Sequence, residues 1–226
     1  MKLKKYGKKL AEVGLKIGAI KLDPKNPFQL TSGYYIPIYN DNRKLLFYPK
    51  YRRLIANGLQ KIIKEEKISY DIIAGVATGG ISHATSLANK LDCPFIYVRD
   101  KAKGHGLHSK IEGMVSKDLQ GQKVIVIEDL ISTGGSSARA VEELRSANGV
   151  VEYCISIFNY CLDKSQQLFD NMDPKCEVRS LLTYDVLLDI ADKGGYLDTK
   201  QIKLLKEWRK DPFGWGDKHG FPRVKK

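Results

Sequence analysis

Four short runs of mainly apolar residues limit the possible folds of this chain more than any other feature. They cover residues 72–76, 95–98, 124–127 and 150–158, and two helical stretches, 81–91 and 136–147, lie between them. Apolar runs without polar alternation are typical of strands buried on both faces. Such strands separated by helices indicate a parallel sheet wrapped by helices, so the predicted fold class is α/β.

The segments before these runs predict smaller elements. A helix with one apolar face is predicted from four residues at spacings of three and four, namely Leu10, Val13, Ile17 and Ile20. Two strand-like segments follow at 28–31 and 34–39, and a second amphipathic helix begins at Pro49. Because no repeat, low-complexity tract or flexible linker divides the chain, we predict one domain over residues 1–226.

Composition excludes several classes of protein. With 42% hydrophobic and 28% charged residues, the chain is neither disordered nor collagen-like. The longest aliphatic run, 124–127, is far shorter than the roughly 18 residues that a membrane-spanning helix needs. The four cysteines (Cys93, Cys154, Cys161 and Cys176) have no CxxC spacing, which predicts free thiols in a reducing compartment. The lysine-rich start lacks an apolar stretch after it, so we expect a cytoplasmic protein and no secretory signal.

The net charge of +12 raises the question of nucleic-acid binding. The charge is concentrated at the two ends, because residues 1–25 and 200–226 each carry +6, whereas the body between them is neutral. We interpret the ends as solvated amphipathic helices, and a basic end that binds nucleic acid remains an alternative. Anionic ligands should therefore be bound by local clusters of residues.

The strongest motif covers residues 124–136, where an apolar strand is followed by Glu128, Asp129 and a turn rich in Ser, Thr and Gly. Two acids at the end of a strand can accept hydrogen bonds from sugar hydroxyls or face a hydrated Mg²⁺. Gly134 and Gly135 allow the backbone to approach a ligand, and the helix that follows directs free N–H groups at it. This pattern predicts a phosphate cradle next to a sugar site.

A second Gly-rich turn, 75–80, also lies between a strand and a helix. It contains Thr78 and Gly79 and offers backbone amides to a second anionic group. Alone this signal is weak, because most such turns only satisfy backbone geometry. Two of them in one sheet suit a ligand with phosphates at both ends.

A third motif, residues 99–110, follows the strand 95–98 and carries lysines, histidines and glycines with little apolar content. We expect this loop to be mobile when empty and to close over a polyanion with Lys103 and His105. The alternative is a solvated charged hairpin, and we interpret His108 as a surface residue.

Together these residues resemble the type I phosphoribosyltransferases, whose signature is a strand, two acids and a Thr/Ser-Gly turn. Five segments are similar, in order and spacing, to the orotate branch of that family: 28–33, 37–43, 75–83, 97–113 and 128–135. The resemblance covers roughly residues 10–210. It implies a type I phosphoribosyltransferase-like sheet with a small hood from about residues 1–45, a core from about 46–195 and a helical C-terminal extension from about 196–226.

The resemblance also implies an activity and its participants. The reaction is the Mg²⁺-dependent transfer of a 5-phosphoribosyl group from 5-phosphoribosyl 1-diphosphate (PRPP) to orotate, in a homodimer of the pyrimidine pathway that makes UMP. The catalytic residues would be Lys103, His105 and Asp129. The loop would reach into the partner's site, and Mg²⁺ would be held mainly by substrate oxygens and by Asp129.

Binding roles follow in the same way. The residues that the resemblance assigns to PRPP are Thr78, Gly79, Arg99, Lys103, His105, Glu128, Asp129, Leu130, Ile131, Ser132, Thr133, Gly134, Gly135 and Ser136. Arg99, Lys103 and His105 would contact the diphosphate, and Glu128 and Asp129 the ribose hydroxyls. Orotate would lie near Ser132 and would meet backbone groups of the hood strand around Tyr39 and Asn40.

Four positions depart from the family pattern. Family members have lysine at the positions of Thr31 and Asp100 and near Gly79, and an arginine after the strand that ends at Phe158, where this chain has residues 159–161. We therefore predict that Arg43 binds the orotate carboxylate. An ion pair between Arg43 and Asp41 is the alternative.

Two other functions remain open at this stage. One is a phosphoribosyltransferase for a purine base, against which the loop with Lys103 and His105 argues. The other is a non-catalytic regulator that binds PRPP and nucleic acid, and the absence of a helix-turn-helix segment argues against it.

Overall fold

The computed structural model describes residues 2–30, 32–100 and 110–224. Its elements, in chain order, are α1 (Leu3–Lys16), β1 (Ile20–Leu22), β2 (Phe28–Gln29), β3 (Tyr35–Ile36), β4 (Ile38–Asn40), a 3₁₀ helix (Asn42–Phe47), α2 (Pro49–Glu65), β5 (Ile72–Val76), α3 (Gly79–Leu91), β6 (Phe95–Val98), β7 (Ile111–Glu112), β8 (Lys123–Ile131), α4 (Gly135–Ser146), β9 (Val150–Asn159), α5 (Asp163–Asp170), β10 (Glu177–Thr183), α6 (Tyr184–Lys193), α7 (Thr199–Lys210) and α8 (Trp215–Lys218).

The main sheet has six strands in the order β10-β9-β8-β5-β6-β7. All neighbours are parallel except β6 and β7, which are antiparallel. The α/β class with a parallel sheet is therefore confirmed, and all four predicted strands are present. Before this sheet, β1 pairs with β4 and β2 pairs with β3, so the N-terminal region forms two small ribbons.

The central strands are buried because helices cover both faces of the sheet. Successive residues of β5 belong to opposite apolar clusters, Ile73 to one and Ala74 to the other. The pair Ile125 and Val126 of β8 divides in the same way. This alternation explains why these strands carry no polar face in the sequence.

Two predictions near the N-terminus are wrong in their bounds. The first helix ends at Lys16, because Gly18 adopts a φ of 66° and turns the chain, so Ile20 begins β1 instead of continuing the helix. The predicted strand 34–39 is split into β3 and β4 at Pro37, which has no backbone N–H to donate to a ladder.

The edges of the sheet differ from its centre. On one side β7 has only two residues. On the other side β10 carries an ion-pair network in which Arg179 contacts Glu66 at 3.1 Å and Glu177 at 3.2 Å, and Lys175 contacts Glu177 at 3.0 Å. Charged side chains therefore border the longer edge strand.

The end of the chain returns to the N-terminal ribbons. Residues 211–224, which we name the C-terminal strap, contain α8 and lie against β3. Trp215 anchors the strap in the core with only 2% of its surface exposed. The hairpin contacted by the strap consists of β2, β3 and the turn between them.

The structure bears on the expectations about the cysteines and about membrane-spanning helices. All four cysteines are free thiols, as predicted. Within the ranges that the structure describes, every helix is too short or too polar to cross a membrane.

A buried histidine predicts a pH-dependent stability. His83 of α3 is 1% exposed, and burial lowers its pKa from 6.5 to about 4. Between these values the unfolded chain binds more protons than the folded one, so stability falls as the pH drops from about 6.5 towards 4. In the variant His83→Gln this loss is absent. We therefore expect the stability of the variant relative to wild type to rise by about 2 kcal/mol from pH 7 to pH 5, measured by urea unfolding.

Candidate active site

The two acids of the strongest motif lie inside β8, not after it. The strand continues to Ile131, so the predicted strand end at Ile127 is wrong. The reason is that β5 pairs with β8 only as far as Ile127, whereas β9 pairs with it up to Ile131. Glu128 and Asp129 therefore lie where β8 has lost one neighbour, at the carboxyl edge of β5.

Glu128 is almost completely buried, with 4% of its surface exposed. Its Oε2 accepts a hydrogen bond from Ser137 Oγ at 2.9 Å, and its Oε1 accepts one from the backbone N–H of Asp129 at 3.0 Å. Burial, together with the hydrogen bond and the negative charge of Asp129, raises the pKa of Glu128 to about 8. The hydrogen bond from Ser137 ties Glu128, and with it β8, to the first turn of α4.

Asp129 lies directly over the start of α3. A Cβ atom placed on Gly79 would be 2.0 Å from Asp129 Oδ2 and 2.3 Å from its Cγ. Glycine at this position thus makes room for the carboxylate, a reason that the sequence motif did not reveal. The N-terminus of a helix favours negative charge, so α3 stabilises the carboxylate at this place.

Asn42, which the sequence analysis did not identify, holds the backbone of Asp129. Its side chain is 4% exposed, and its Nδ2 donates a hydrogen bond of 2.7 Å to the backbone oxygen of Asp129. The 3₁₀ helix before α2 is thereby connected to the acids of β8. A contact between residues so far apart in the chain leaves no local sequence signal.

The turn from Ser132 to Ser136 leads into α4 with Gly134 at a φ of 81°. Among the described residues, no side chain caps the N-terminus of α3 or α4. The first N–H groups of a helix have no partner inside it, so both turns can offer donors to an anion. Leu130 and Ile131 pack their side chains into the apolar clusters, so only their backbone is available to a ligand.

Thr78 is exposed at the start of α3, while Ser132, Thr133 and Gly135 are half-buried and Ser136 is exposed at the start of α4. The sheet topology brings these two turns together, because β5 and β8 are neighbouring parallel strands. The juxtaposition that the two Gly-rich motifs suggested is thus present in the fold.

A shallow cleft lies between the ends of β5 and β6 and the first half of α4. Arg99 and Ser136 both line it. The Arg99 guanidinium is 3.2 Å from Glu112, and Arg139 of α4 contacts Asp100 at 2.9 Å. Lys103 and His105 lie outside the described residues, as does Thr31.

The candidate orotate residues are in β4 and the 3₁₀ helix. Tyr39 is 37% exposed and its ring lies 5.7 Å from that of Phe28. Both amide atoms of Asn40 are buried and have no hydrogen-bond partner among the described residues. An amide with an unused donor and an unused acceptor suits a ligand that offers it an acceptor and a donor.

Arg43 is on the surface and forms the alternative ion pair. Its Nε lies 2.7 Å from Asp41 Oδ1, and this contact raises the pKa of Arg43 and lowers that of Asp41. Its side chain is 63% exposed. The guanidinium thus has a carboxylate partner within its own segment, and its contact with orotate stays a prediction.

A Mg²⁺ ion has few protein ligands available at this site. The described residues contain no group of three or more side chains that could hold a metal ion. One partly exposed carboxylate, Asp129, faces the region between the two turns. This donor set fits Mg²⁺, which commonly binds one or two carboxylates and completes its shell with substrate oxygens and water.

Comparison with known proteins agrees with this geometry. The phosphoribosyl transferase domain model matches residues 44–185. An orotate phosphoribosyltransferase of Listeria innocua is 46% identical over 209 residues, which cover 92% of this chain and 98% of the relative. One from Bacillus cereus is 45% identical over 205 residues, covering 91% and 95%.

A solved structure shows the same fold. The orotate phosphoribosyltransferase of Aeropyrum pernix superposes with a TM-score of 0.69 at 30% identity, over 84% of this chain and 99% of that one. The chain therefore belongs to the orotate phosphoribosyltransferases, enzymes built on the phosphoribosyl transferase domain.

Proposed function

We propose that the enzyme transfers the 5-phosphoribosyl group of PRPP to orotate in the biosynthesis of UMP. The bond between the anomeric carbon and the diphosphate oxygen breaks, with its electron pair left on the diphosphate. A ring nitrogen of orotate forms the new bond to that carbon and gives up its proton. The products are orotidine 5'-phosphate and pyrophosphate.

The observation that carries this proposal is the position of Asp129 at the uncapped start of α3, on the strand that leads into the uncapped start of α4. A carboxylate beside Gly79 can accept hydrogen bonds from ribose hydroxyls, with Glu128 next to it. The start of α4, from Ser132 to Ser136, would bind the 5'-phosphate through backbone N–H groups. The start of α3, with Thr78 and Gly79, and Arg99 in the adjoining cleft would bind the diphosphate.

Charge development explains the need for cations in this reaction. As the bond to the diphosphate breaks, the leaving group gains negative charge and the anomeric carbon becomes oxocarbenium-like. Groups that bind the diphosphate more tightly in the transition state than in the ground state accelerate the reaction. We assign this role to Lys103 and His105, together with Arg99.

We propose Mg²⁺ as the cofactor, held mainly by substrate oxygens and by Asp129. When bound, the ion supplies positive charge that neutralises the diphosphate. The residues of the chain position the substrate for this purpose. Asn42 fixes the backbone of Asp129, and α3 holds the carboxylate in place.

For the base, we propose that Ser132, Tyr39 and Asn40 contact orotate. The unpartnered amide of Asn40 can both donate to and accept from the ring, whose carbonyl and N–H groups alternate. Arg43 is our candidate for the carboxylate, which requires it to exchange Asp41 for the ligand.

The direct test is an assay of orotidine 5'-phosphate formation with the purified chain, with and without Mg²⁺. Hypoxanthine and adenine are assayed in parallel at equal concentrations. We expect product with orotate but not with hypoxanthine or adenine, and only when Mg²⁺ is present. Product from a purine base, or none from any base, would contradict the proposed function.

We further propose a homodimer in which the loop of residues 100–115 completes the partner's site. This is tested by mixing and refolding two defective variants, Lys103→Ala and Asp129→Asn. About half of the dimers are then mixed, and each contains one site with a normal lysine and a normal aspartate. We expect roughly a quarter of the wild-type activity.

The control for this experiment is each variant refolded alone. Activity of the mixture that does not exceed that of either variant would mean that the loop closes over its own subunit.

The location we propose is the cytoplasm, because four free thiols suit a reducing compartment.

A further inference from the structure

One arginine of the C-terminal strap contacts the hairpin with its side chain at two points. The Nε of Arg223 donates a hydrogen bond of 3.2 Å to the backbone oxygen of Ser32, and its Cζ lies 4.3 Å from the centre of the Tyr34 ring. One guanidinium thus holds two residues of the turn between β2 and β3.

The backbone of the strap continues this contact. The N–H of Val224 donates to the oxygen of Gly33 at 3.1 Å. A Cβ atom on Gly33 would lie 1.9 Å from the oxygen of Val224, so the two segments approach as closely as glycine permits. Gly33 also has a φ of 85°, which favours glycine.

Aromatic rings complete the interface. Phe221 of the strap lies 5.9 Å from Tyr35, and Phe213 lies 5.3 Å from Tyr34 in an edge-on arrangement. Phe221 in turn stacks on Trp215, which is buried in the core. The strap is therefore anchored in the core by Trp215, and it contacts the hairpin near both of its ends.

The hairpin leads directly to the candidate base site. After β3 the chain passes through Pro37 into β4, which carries Tyr39 and Asn40, and the ring of Tyr39 packs on Phe28 of β2. Two residues beyond Asn40, Asn42 binds the backbone of Asp129. A shift of the hairpin would therefore move the base site while the phosphate cradle of α4 stays in the sheet.

We propose that Arg223 is a positioning residue for the base, one that fastens the hairpin and thereby sets the place of Tyr39 and Asn40. This inference rests on the proposed function, because it names orotate as the occupant of that site. Arg223 acts through Ser32 and Tyr34, and the main-chain N–H of Arg223 is held separately by Asp217 at 3.1 Å. Loss of the guanidinium therefore removes its contacts with Ser32 and Tyr34, whereas the Val224–Gly33 hydrogen bond and the aromatic contacts keep the strap in place.

The variant Arg223→Ala tests the proposal. Loss of an exposed cation–π contact and one hydrogen bond should raise the KM for orotate roughly fivefold. We expect kcat and the KM for PRPP to change by less than about twofold, because both phosphate-binding turns are untouched. Lys200→Ala, an exposed cation of α7, is the matched control and should leave all three constants unchanged.

A second measurement separates this inference from the proposed function. Amide hydrogen exchange of the hairpin should be faster in Arg223→Ala than in wild type, whether or not orotate is the substrate. Unchanged exchange, or faster exchange with an unchanged KM for orotate, would overturn the positioning role. A wild-type enzyme that forms no orotidine 5'-phosphate would overturn the proposed function instead. A loss of activity through misfolding would lower the active fraction but would leave the KM for orotate at its wild-type value.

Discussion

Replacement of Gly79 by alanine is expected to lower kcat/KM for PRPP by a factor of about 100 or more. The added Cβ would lie 2.0 Å from Asp129 Oδ2, whereas ordinary contact begins at 3.4 Å, so the carboxylate has to move by more than 1 Å. A misplacement of that size in a catalytic group commonly costs two orders of magnitude. The effect is measured by steady-state kinetics with orotate held at saturation.

The matched control is Ser86→Ala on the same helix, which removes only a hydrogen bond to the oxygen of Ser82 at 2.9 Å. It should retain wild-type activity. A Gly79→Ala variant with normal kcat/KM would show that the position of the Asp129 carboxylate is irrelevant to catalysis. Circular dichroism at 25 °C verifies that both variants are folded.

We expect Lys103→Ala to reduce kcat by a factor on the order of 100 or more. A cation that meets charge developing on the diphosphate acts mainly in the transition state, so kcat falls more than affinity does. Lys103 lies outside the described residues, and this expectation comes from the loop sequence alone. The described residues that flank the loop are Arg99 and Lys110, and the backbone N–H of Arg99 donates to the oxygen of Lys110 at 2.8 Å.

Lys117→Ala, an exposed lysine after β7, is the control for a simple loss of surface charge. Its kcat should equal that of wild type. An unchanged kcat for Lys103→Ala at saturating substrates would remove the lysine from the mechanism. The same outcome would also weaken the complementation experiment, which needs an inactive lysine variant.

The central sheet could be predicted because burial on both faces leaves a plain sequence signal. Residues 72–76 are apolar throughout, and helices pack on both sides of them. Strand β10 could not be predicted in the same way. It lies at an edge, where Glu177 and Arg179 pair with each other and also with Lys175 and Glu66, which lie outside the strand.

The candidate site was predictable in its residues but not in its connections. The acids and both Gly-rich turns followed from the spacing of the motifs. Three features depend on contacts between distant segments. Gly79 leaves room for the Asp129 carboxylate, Asn42 donates to the backbone of Asp129, and Arg223 contacts the hairpin. Periodicity and spacing report only on neighbours along the chain, so they carry no information about these contacts.

The borders of the sheet affect how copies of this enzyme can associate. An open edge strand is a template on which another chain can add a strand, and proteins block this route with short strands or charges. Here β7 is two residues long, and β10 is lined by Lys175, Glu177 and Arg179. Neither border favours continuation of the sheet into a second molecule. The folded protein should therefore resist edge-to-edge aggregation, and in the homodimer that we propose the subunits would meet through helices and loops.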